Sequence, residues 1–333
     1  MTVKALGAVM GLAALAAAVA VVAYAWFVPI DLTSTVPVTI AKGEGTAQIA
    51  TKLDQLGLLR ARRLFIWRAR WRGIDRHLRP GRYEFFGPTR MSDILDALSQ
   101  GRAVQVAVTI PEGWTMARMA AHLGKQLGFD SAAFLAAAED SAIAGQSGSP
   151  VNRIEGYLWP ETYEFYWGVE PREVIARMLV TGTVIYVDSL GTRAASLGMS
   201  HHQVLTLASM IEAEAAEGDE RARISAVFHN RLKRGMLLQC DPTVVYAIGG
   251  LRNGRPLQDS DLTVDSPYNT YLYPGLPPGP ICSPGLAAII AALYPDSTDD
   301  LYFVADGRGG HIFSSTLEEH NRAKVRVKNR RDR

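Results

Sequence analysis

The sequence has few of the residues that build disulfide frameworks and metal sites. Its 333 residues include only two cysteines, Cys240 and Cys282, and seven histidines. Two cysteines can form one bridge at most, and nothing in their positions indicates that they do. The histidines are scattered, and the adjacent His201 and His202 would point to different faces of a helix. The sequence therefore predicts no disulfide-stabilised fold, no catalytic metal and no cofactor.

A strong charge bias, internal repeats and low-complexity tails are missing too. The chain carries 35 basic and 33 acidic residues, a formal net charge of +2, so its composition gives no reason to expect a nucleic-acid partner. Hydrophobic residues make up 48% of the chain and charged residues 20%. That composition and length are sufficient for two ordinary domains with buried cores.

The N-terminal segment is a long, strongly apolar stretch without charge. After Lys4, residues 5–30 (ALGAVMGLAALAAAVAVVAYAWFVPI) are uncharged, and a helix needs roughly 20 such residues to cross a bilayer. The AYA triplet in this run resembles a signal-peptidase site, so a cleaved signal is the alternative. However, the run is long for a signal peptide, and Trp26 and Phe27 continue it beyond that site. We predict an uncleaved single-pass anchor in the cytoplasmic membrane, with residues 1–4 inside the cell and the remainder on the periplasmic or extracellular side.

The remaining chain has the pattern of an α+β protein in more than one module. Residues 31–35 (DLTST) are predicted to be a polar linker. Residues 36–105 alternate short strands such as VPVTI with helical periodicities such as GTAQIATKLDQLGLL, which predicts a small α+β subdomain. Residues 106–333 contain helices followed by glycine- and proline-rich loops and short strands. This part is predicted to be a larger α+β domain.

One helix of the larger domain carries a carboxylate where an apolar residue is expected. In the helix that contains LASMIEAEAAEGDER, at about 100° per residue, one face is shared by Val204, Leu207, Met210 and Ile211. Glu214 lies at the middle of that face. Burial disfavours the charged form of a carboxyl group, so such a residue can hold a proton near neutral pH and deliver it to a substrate. The alternative is a buried salt bridge in which Arg221 or Arg223 contacts Glu214.

The loops that follow supply side chains of the kind used in sugar-binding clefts. The candidates lie among glycines and prolines and can donate, accept or stack: Gln239, Asp241, Tyr268, Asn269, Tyr271 and His311. The same residue types are common in solvated loops, and the pattern alone leaves both interpretations open. Their clustering after a single desolvated acid favours a carbohydrate site.

The strongest charge run is RARRLFIWRARWRGIDRHLR, residues 60–79, in which Trp67 and Trp71 are four residues apart. Interleaved basic and aromatic residues can bind nucleic acid. Outside the cytoplasm, anionic lipid headgroups or an acidic polymer are the expected partners instead. The alternative is a solvated helix face with its tryptophans in the core.

Several segments in order resemble the motifs of the MltG (YceG-like) endolytic murein transglycosylases. They are IPEGWT, EGYLWPETYEF, LASMIEAEA, SAVFHNRLKRGMLLQCDPTVVYAIG, SPYNTYLYPGLPPGPICSPG and YFVADGRGGHIFSSTLEEHN. The resemblance runs from about Val36 to the C-terminus. It follows an N-terminal anchor of the kind that the family also carries.

The resemblance implies a membrane-anchored enzyme that cuts peptidoglycan strands internally, between N-acetylmuramic acid and N-acetylglucosamine, and leaves a 1,6-anhydro-muramyl end. It further implies a LysM-like subdomain at residues 36–105, a catalytic domain at 106–333 and, as partners, peptidoglycan synthases. The family's catalytic acid is the second glutamate of an E-x-E motif, which corresponds to Glu214, with Glu212 as the first. Ala213 departs from the lysine of many relatives.

These inferences together predict a lyase in which Glu214 first donates and then recovers a proton. Glu212, Glu220 and Asn269 are candidate orienting residues. Two alternatives remain open. One is a muramidase that hydrolyses the bond with Glu214 and either Asp241 or Glu220, and the other is a non-enzymatic scaffold that binds glycan.

Overall fold

The computed structural model describes residues 3–151, 153–215, 218–251 and 255–331. The chain forms two compact units. The first unit contains Met1–Ala107, Gln126–Gly128 and Glu164–Val169, and the second contains Val108–Lys125, Phe129–Tyr163 and Glu170–Arg333. The main division thus lies close to the predicted boundary between residues 105 and 106. The two short later segments of the first unit were not expected from the sequence.

The first unit consists of an apolar helix followed by a two-stranded sheet with three helices. Its elements in chain order are α1 (Val3–Phe27), β1 (Ile30–Ile40), α2 (Thr46–Gln55), α3 (Arg62–Trp71), β2 (Gly81–Thr89) and α4 (Met91–Gln100). The strands are antiparallel, with Ile30 opposite Thr89 and Ile40 opposite Gly81. Helices α2 and α3 lie in the long connection between the two strands.

The prediction of a linker at residues 31–35 is wrong, because these residues belong to β1. Leu32 lies opposite Gly87, and a bulge between Leu32 and Val36 absorbs the irregular register. Threonines in this stretch suit an extended backbone. Its polar composition reflects its exposed side chains rather than the absence of structure.

The core of the first unit follows the periodicities of the sequence. Ile49 and Leu53 of α2, Phe65 of α3 and Leu95 of α4 are completely buried in one cluster. Fully burying an apolar side chain of this size contributes roughly 1.5–3 kcal/mol. The last turn of α1 joins this cluster through Trp26, which is also buried. The end of the apolar helix is therefore fixed to the unit.

Within the described residues, one helix is long and apolar enough to cross a membrane. The segment Met10–Phe27 of α1 has a mean hydropathy of 2.0, and 6% of it is buried. A signal sequence near an N-terminus has the same properties.

The rest of the chain is mainly helical with two further short sheets. The elements that follow α4 are β3 (Gln105–Thr109), α5 (Met116–Leu127), α6 (Ser131–Ala138), α7 (Ser141–Ser147), β4 (Thr162–Tyr166), α8 (Pro171–Ser189), α9 (Gly191–Ser196), α10 (His201–Glu214), α11 (Arg221–Lys233), α12 (Asp241–Ala247), α13 (Leu286–Leu293), β5 (Tyr302–Ala305), β6 (His311–Ser314) and α14 (Leu317–Arg331). β3 pairs with β4, and β5 forms an antiparallel hairpin with β6. The mixed helix and sheet content matches the predicted α+β class.

Helix α10 lies at the centre of the second unit. Ser200 caps its first turn, with Oγ accepting a hydrogen bond from the main-chain N–H of Gln203 at 3.2 Å. All eight residues from 204 to 211 are buried, so the helix is covered on every side and not only along the predicted apolar face. It packs against α11, α12 and α13. The helix ends at Glu214, and Ala215 is extended. The carboxyl group of Glu214 thus leaves the core at the end of a buried helix.

Candidate active site

A cavity of about 1110 Å³ lies at the C-terminal end of α10, and all of its lining residues belong to the second unit. Glu214 forms part of its wall together with residues of α5, α12 and the neighbouring loops. The polar and aromatic side chains that line it include Arg153, Glu155, Glu214, Asp241, Tyr246 and Tyr268. The volume slightly exceeds the range of about 300–1,000 Å³ typical of ligand pockets, so the cavity has room for an extended ligand.

Glu214 is half-buried at the cavity wall, where protein atoms crowd its carboxyl group. Burial, and to a smaller extent the negative charge of Asp241, raise the pKa of Glu214 from 4.5 to about 7. Hydrogen bonds from the Cys240 thiol and the main-chain N–H of Asp241 favour the charged form and oppose part of the shift. A carboxyl group balanced near pH 7 can both give up and recover a proton under neutral conditions.

The salt bridge considered for Glu214 does not form among the described residues. Arg221 instead pairs with Glu212, with 3.2 Å between Nη2 and Oε1. Arg223 pairs with Asp300 at 2.7 Å. With both arginines engaged elsewhere, Glu214 has no cationic partner among the residues that the structure describes.

Asp241 lies at the first position of α12, and its exposed side chain lines the cavity beside Glu214. Its Oδ1 accepts a hydrogen bond from the hydroxyl of Tyr271 at 2.5 Å. Burial and the charges of Asp241 and Glu214 raise the pKa of Tyr271, so its hydroxyl stays protonated. Tyr271 therefore fixes the Asp241 carboxylate next to the acid.

Tyr268 also lines the cavity, and its ring lies 4.9 Å from the ring of Tyr246, centroid to centroid. The pair forms an aromatic section of the wall. Such surfaces combine apolar faces with hydroxyl groups at their edges. Three of the predicted site residues, Glu214, Asp241 and Tyr268, are thus brought together around one cavity.

Gln239 is part of the loop that carries Cys240 and Asp241 to Glu214. Its backbone is left-handed, with a φ of 51°, and its main-chain N–H donates to the carbonyl of Thr270 at 3.1 Å. Its Oε1 accepts a hydrogen bond from Arg231 at 3.3 Å. The same buried guanidinium donates to the carbonyl oxygens of Leu237, Leu238 and Leu301. These contacts give Gln239 a role in shaping the loop, and it does not line the cavity.

Asn269 is completely buried and is also absent from the cavity wall. Its Nδ2 donates to the carbonyls of Leu262 and Val264 at 2.9 and 2.8 Å. Its Oδ1 accepts from the main-chain N–H of Tyr271 at 3.0 Å. Because the amide is fully used in closing this loop, the geometry does not support the predicted contact with sugar or acid. The residue positions its neighbours Tyr268 and Tyr271 instead.

The remaining predicted residues, Glu212, Glu220 and His311, are not part of the cavity wall. Glu212 is directed about 200° away from Glu214 around the helix, and its Oε2 accepts a hydrogen bond from the N–H of Gly285 at 3.1 Å. Glu220 contacts His311 twice, at 2.9 Å through the main-chain N–H and at 2.7 Å through Nδ1. None of these three residues lines the cavity or contacts Glu214 directly. The structure therefore does not support the predicted orienting roles of Glu212 and Glu220 or the predicted binding role of His311.

The sequence did not point to Glu155, whose carboxyl group lies in the same wall as those of Glu214 and Asp241. Its Oε1 accepts a hydrogen bond from the N–H of Met116 at 2.8 Å, and its Oε2 accepts one from the hydroxyl of Tyr246 at 3.4 Å. Burial raises the pKa of Glu155 to about 7. Glu155 stands in EGYLWPETYEF, beside Gly156, whose φ of 80° marks a tight turn. A glutamate next to such a turn was the available signal, but a turn has no periodicity that would predict the direction of the side chain.

The two cysteines do not form a disulfide. Both are buried and free. The Sγ of Cys282 lies 3.4 Å from the carbonyl oxygen of Ser209 in α10, and Cys282 also lines the cavity. Their role is in packing around the end of α10.

The chain is similar to proteins of known family over most of its length. Residues 38–326 match the model of the YceG-like family. The endolytic murein transglycosylase of Bacillus subtilis (strain 168) is 34% identical over 309 residues, which cover 88% of this chain and 85% of that protein. The endolytic murein transglycosylase of Streptococcus pneumoniae (strain ATCC BAA-255 / R6) is 31% identical over 329 residues. That alignment covers 88% of this chain, and the chain spans 59% of the length of the pneumococcal protein.

A similar structure is also known. The 2.6 Å crystal structure of a yceG-like protein from Listeria monocytogenes superposes with a TM-score of 0.62 and 32% sequence identity. The superposition covers 86% of this chain and 98% of the Listeria chain. By sequence and by structure, the chain belongs to the YceG-like family.

Proposed function

We propose that the protein is an endolytic murein transglycosylase, a lyase that cleaves the bond between N-acetylmuramic acid and N-acetylglucosamine within glycan strands and leaves 1,6-anhydro-muramyl ends. The names of the Bacillus and Streptococcus relatives support this activity. The observation that carries it is the position of Glu214, whose carboxyl group has a raised pKa and lines a cavity large enough for an extended ligand.

The mechanism uses Glu214 as acid and then as base. The protonated carboxyl donates its proton to the glycosidic oxygen as the bond to C1 breaks through an oxocarbenium-like state. The C6 hydroxyl of the same muramic sugar then attacks C1, and the Glu214 carboxylate accepts its proton. Water is neither consumed nor released, and the enzyme returns to its starting form. Intramolecular attack has an effective molarity of about 10⁵–10⁸ M, so no second carboxylate is needed to activate water.

The neighbouring residues have supporting roles in this proposal. The Asp241 carboxylate, held by Tyr271, raises the pKa of Glu214 and so keeps the acid protonated near pH 7. The rings of Tyr268 and Tyr246 provide an aromatic wall on which a sugar ring can pack. Glu155 lies in the same cavity and offers a further polar contact to the strand.

The cellular setting is part of the proposal. Helix α1 would anchor the chain as a single span in the cytoplasmic membrane, with the remainder of the chain on the periplasmic or extracellular side, where peptidoglycan lies. The compact first unit, a two-stranded sheet with α2 and α3, would serve as the LysM-like subdomain. An endolytic cut during cell-wall assembly would limit strand length, and peptidoglycan synthases would be the protein partners.

A muramidase is the second candidate, because Asp241 places another carboxylate beside Glu214. In that reaction Asp241 would direct a water molecule to C1, and the product would carry a reducing end. The mass of the new chain end separates the two reactions, since a reducing end contains one water more than an anhydro end.

The test is to incubate the full-length protein with purified, uncrosslinked glycan strands and analyse the products by mass spectrometry. We expect internal fragments with anhydro ends from the wild type, and none from Glu214→Gln, which keeps the shape of the side chain but has no acidic proton. Glu173→Gln, on an exposed position of α8, is the matched control and should retain activity. Reducing ends would establish the muramidase instead. Binding without cleavage by the wild type would refute both and indicate a scaffold.

A further inference from the structure

Helix α3 presents an aromatic pair to the outside of the first unit. Phe65 and Ala69 are completely buried and mark the core side of the helix. Trp67 and Trp71 lie two residues further on, about 200° around the helix, and are 56% and 66% exposed. Their rings stack with centroids 6.3 Å apart. The interpretation that these tryptophans lie in the core is therefore wrong, and exposing two such large side chains calls for a partner.

The same surface is strongly basic. Residues 60–79 contain eight arginines and one aspartate. Arg63 and Arg70 are exposed and pair with no carboxylate in the described part of the chain. Arg68 stacks on Trp71, with its guanidinium carbon 4.5 Å from the ring centroid. The aromatic pair is thus surrounded by positive charge that is largely uncompensated, and its partner is expected to be anionic.

This surface lies at the end of the apolar helix α1. The guanidinium of Arg68 that stacks on Trp71 is also 5.7 Å from the ring of Trp26, in the last turn of α1. Arg60 donates to the carbonyl of Pro29 at 2.7 Å and stacks on Tyr24 at 4.9 Å. The guanidinium of Arg68 therefore contacts both the exposed Trp71 and Trp26, where the apolar helix ends.

We propose that the α3 surface, formed by Arg63, Trp67, Arg70 and Trp71, docks on the anionic phospholipid headgroups of the membrane that α1 crosses. The inference rests on α1 being a membrane anchor, as proposed above, and it is independent of the reaction at Glu214. Tryptophan is favoured at the boundary between headgroups and acyl chains, and arginines bind anionic headgroups electrostatically. Continuity with α1 favours lipid over a soluble acidic polymer, because the anchor delivers this face to the bilayer surface.

The experiment uses the full-length protein in vesicles whose lipids carry bromine near the headgroup end of the acyl chains, which quenches nearby tryptophans. Phosphatidylcholine vesicles with and without phosphatidylglycerol are compared. We expect the double substitution Trp67→Phe and Trp71→Phe to remove a large part of the quenchable emission in the anionic vesicles. The matched control, Trp114→Phe with Trp159→Phe in the second unit, should leave that part unchanged.

A second pair of variants tests the charge. At about fivefold per arginine near an anionic surface, Arg63→Gln with Arg70→Gln should lower the ratio of docked to undocked protein about 25-fold. Arg326→Gln with Arg330→Gln, which removes the same charge from exposed positions of α14, should not change it.

Three results would overturn the proposal. The first is equal quenching of the wild type and the tryptophan variant, and the second is quenching that does not depend on phosphatidylglycerol. The third is a response of the two tryptophans to soluble polyphosphate but not to vesicles, which would identify the partner as an acidic polymer. All α3 variants should still cleave soluble glycan strands, so the outcome is separate from that of the activity test.

Discussion

The loss of activity at high pH should be set by one carboxyl group. An ordinary glutamate with a pKa of 4.5 is protonated to roughly 0.3% at pH 7, whereas the pKa of Glu214 of about 7 leaves about half of it protonated. The cavity therefore increases the amount of competent acid about 150-fold at neutral pH. Because the reaction starts from the protonated form, kcat/KM should be constant below about pH 6 and fall about tenfold per unit above about pH 8.

Two substitutions should move this alkaline limb in opposite directions. Asp241→Asn removes the negative charge that raises the pKa of Glu214, so the limb should move to lower pH. The asparagine oxygen can still accept the hydroxyl of Tyr271. Cys240→Ala removes a hydrogen bond that favours the charged form of Glu214, so the limb should move to higher pH.

The assay is the initial rate of fragment release from labelled glycan strands, measured from about pH 5 to about pH 10 at substrate concentrations below KM, so that the profile reports the free enzyme. Glu155→Gln is the control, because Glu155 lines the same cavity and its pKa is also about 7. This variant should keep the limb in place. If the limb moves with Glu155→Gln and stays fixed with both other variants, the ionisation does not belong to Glu214 and the proposed acid is wrong.

Three predictions concern stability, each measured by denaturant or thermal unfolding of the full chain in detergent. Burial raises the pKa of Glu155 from 4.5 to about 7, so its contribution to the free energy of unfolding is fully present below pH 4.5, and about 3 kcal/mol of that free energy is lost as pH rises through 7. Glu155→Gln should lose this pH dependence. If the difference in the free energy of unfolding between pH 4 and pH 8 is the same in wild type and variant, the prediction is wrong. Glu220→Gln gives up one of two contacts with the β5–β6 hairpin and should cost about 1–3 kcal/mol; no cost would mean that the pair is dispensable. Gly156 has a φ of 80°, and a Cβ added there would clash with the side chain of Pro280, so Gly156→Ala should cost more than about 1 kcal/mol. Gly145→Ala, with open space around it, should cost far less.

Helical periodicity was informative where an apolar pattern ran through a regular element. It predicted the helix that ends at Glu214 and the direction of the pKa shift of that residue. The physical picture differs in one respect, because α10 is buried on all sides. The apolar face read from the sequence therefore underestimated the burial of α10. The carboxyl group of Glu214 is desolvated by its position at the end of this buried helix as well as by its direction around the helix axis.

Loop residues could not be placed in the same way. Asp241 and Tyr268 line the cavity, whereas Asn269, one residue after Tyr268, is buried and its side-chain amide hydrogen-bonds to main-chain groups. Composition predicts which side chains can form hydrogen bonds. The direction of each side chain depends on the backbone dihedral angles of the loop, which do not repeat as they do in a helix or strand. Similarly, the spacing of Trp67 and Trp71 predicted a shared face without deciding whether that face is inside or outside.

The buried Arg231 holds the loop that carries Cys240 and Asp241 to Glu214, although Arg231 does not line the cavity. Its guanidinium joins the carbonyl groups of Leu237 and Leu238, in the loop before Asp241, to that of Leu301, 70 residues further along the chain than Arg231. The groups that set the acidity of Glu214 are consequently preorganised when the protein folds, and little rearrangement is left for the moment of bond cleavage. Activity should then be sensitive to loosening of this distant anchoring point, even when every residue that touches the sugar is intact.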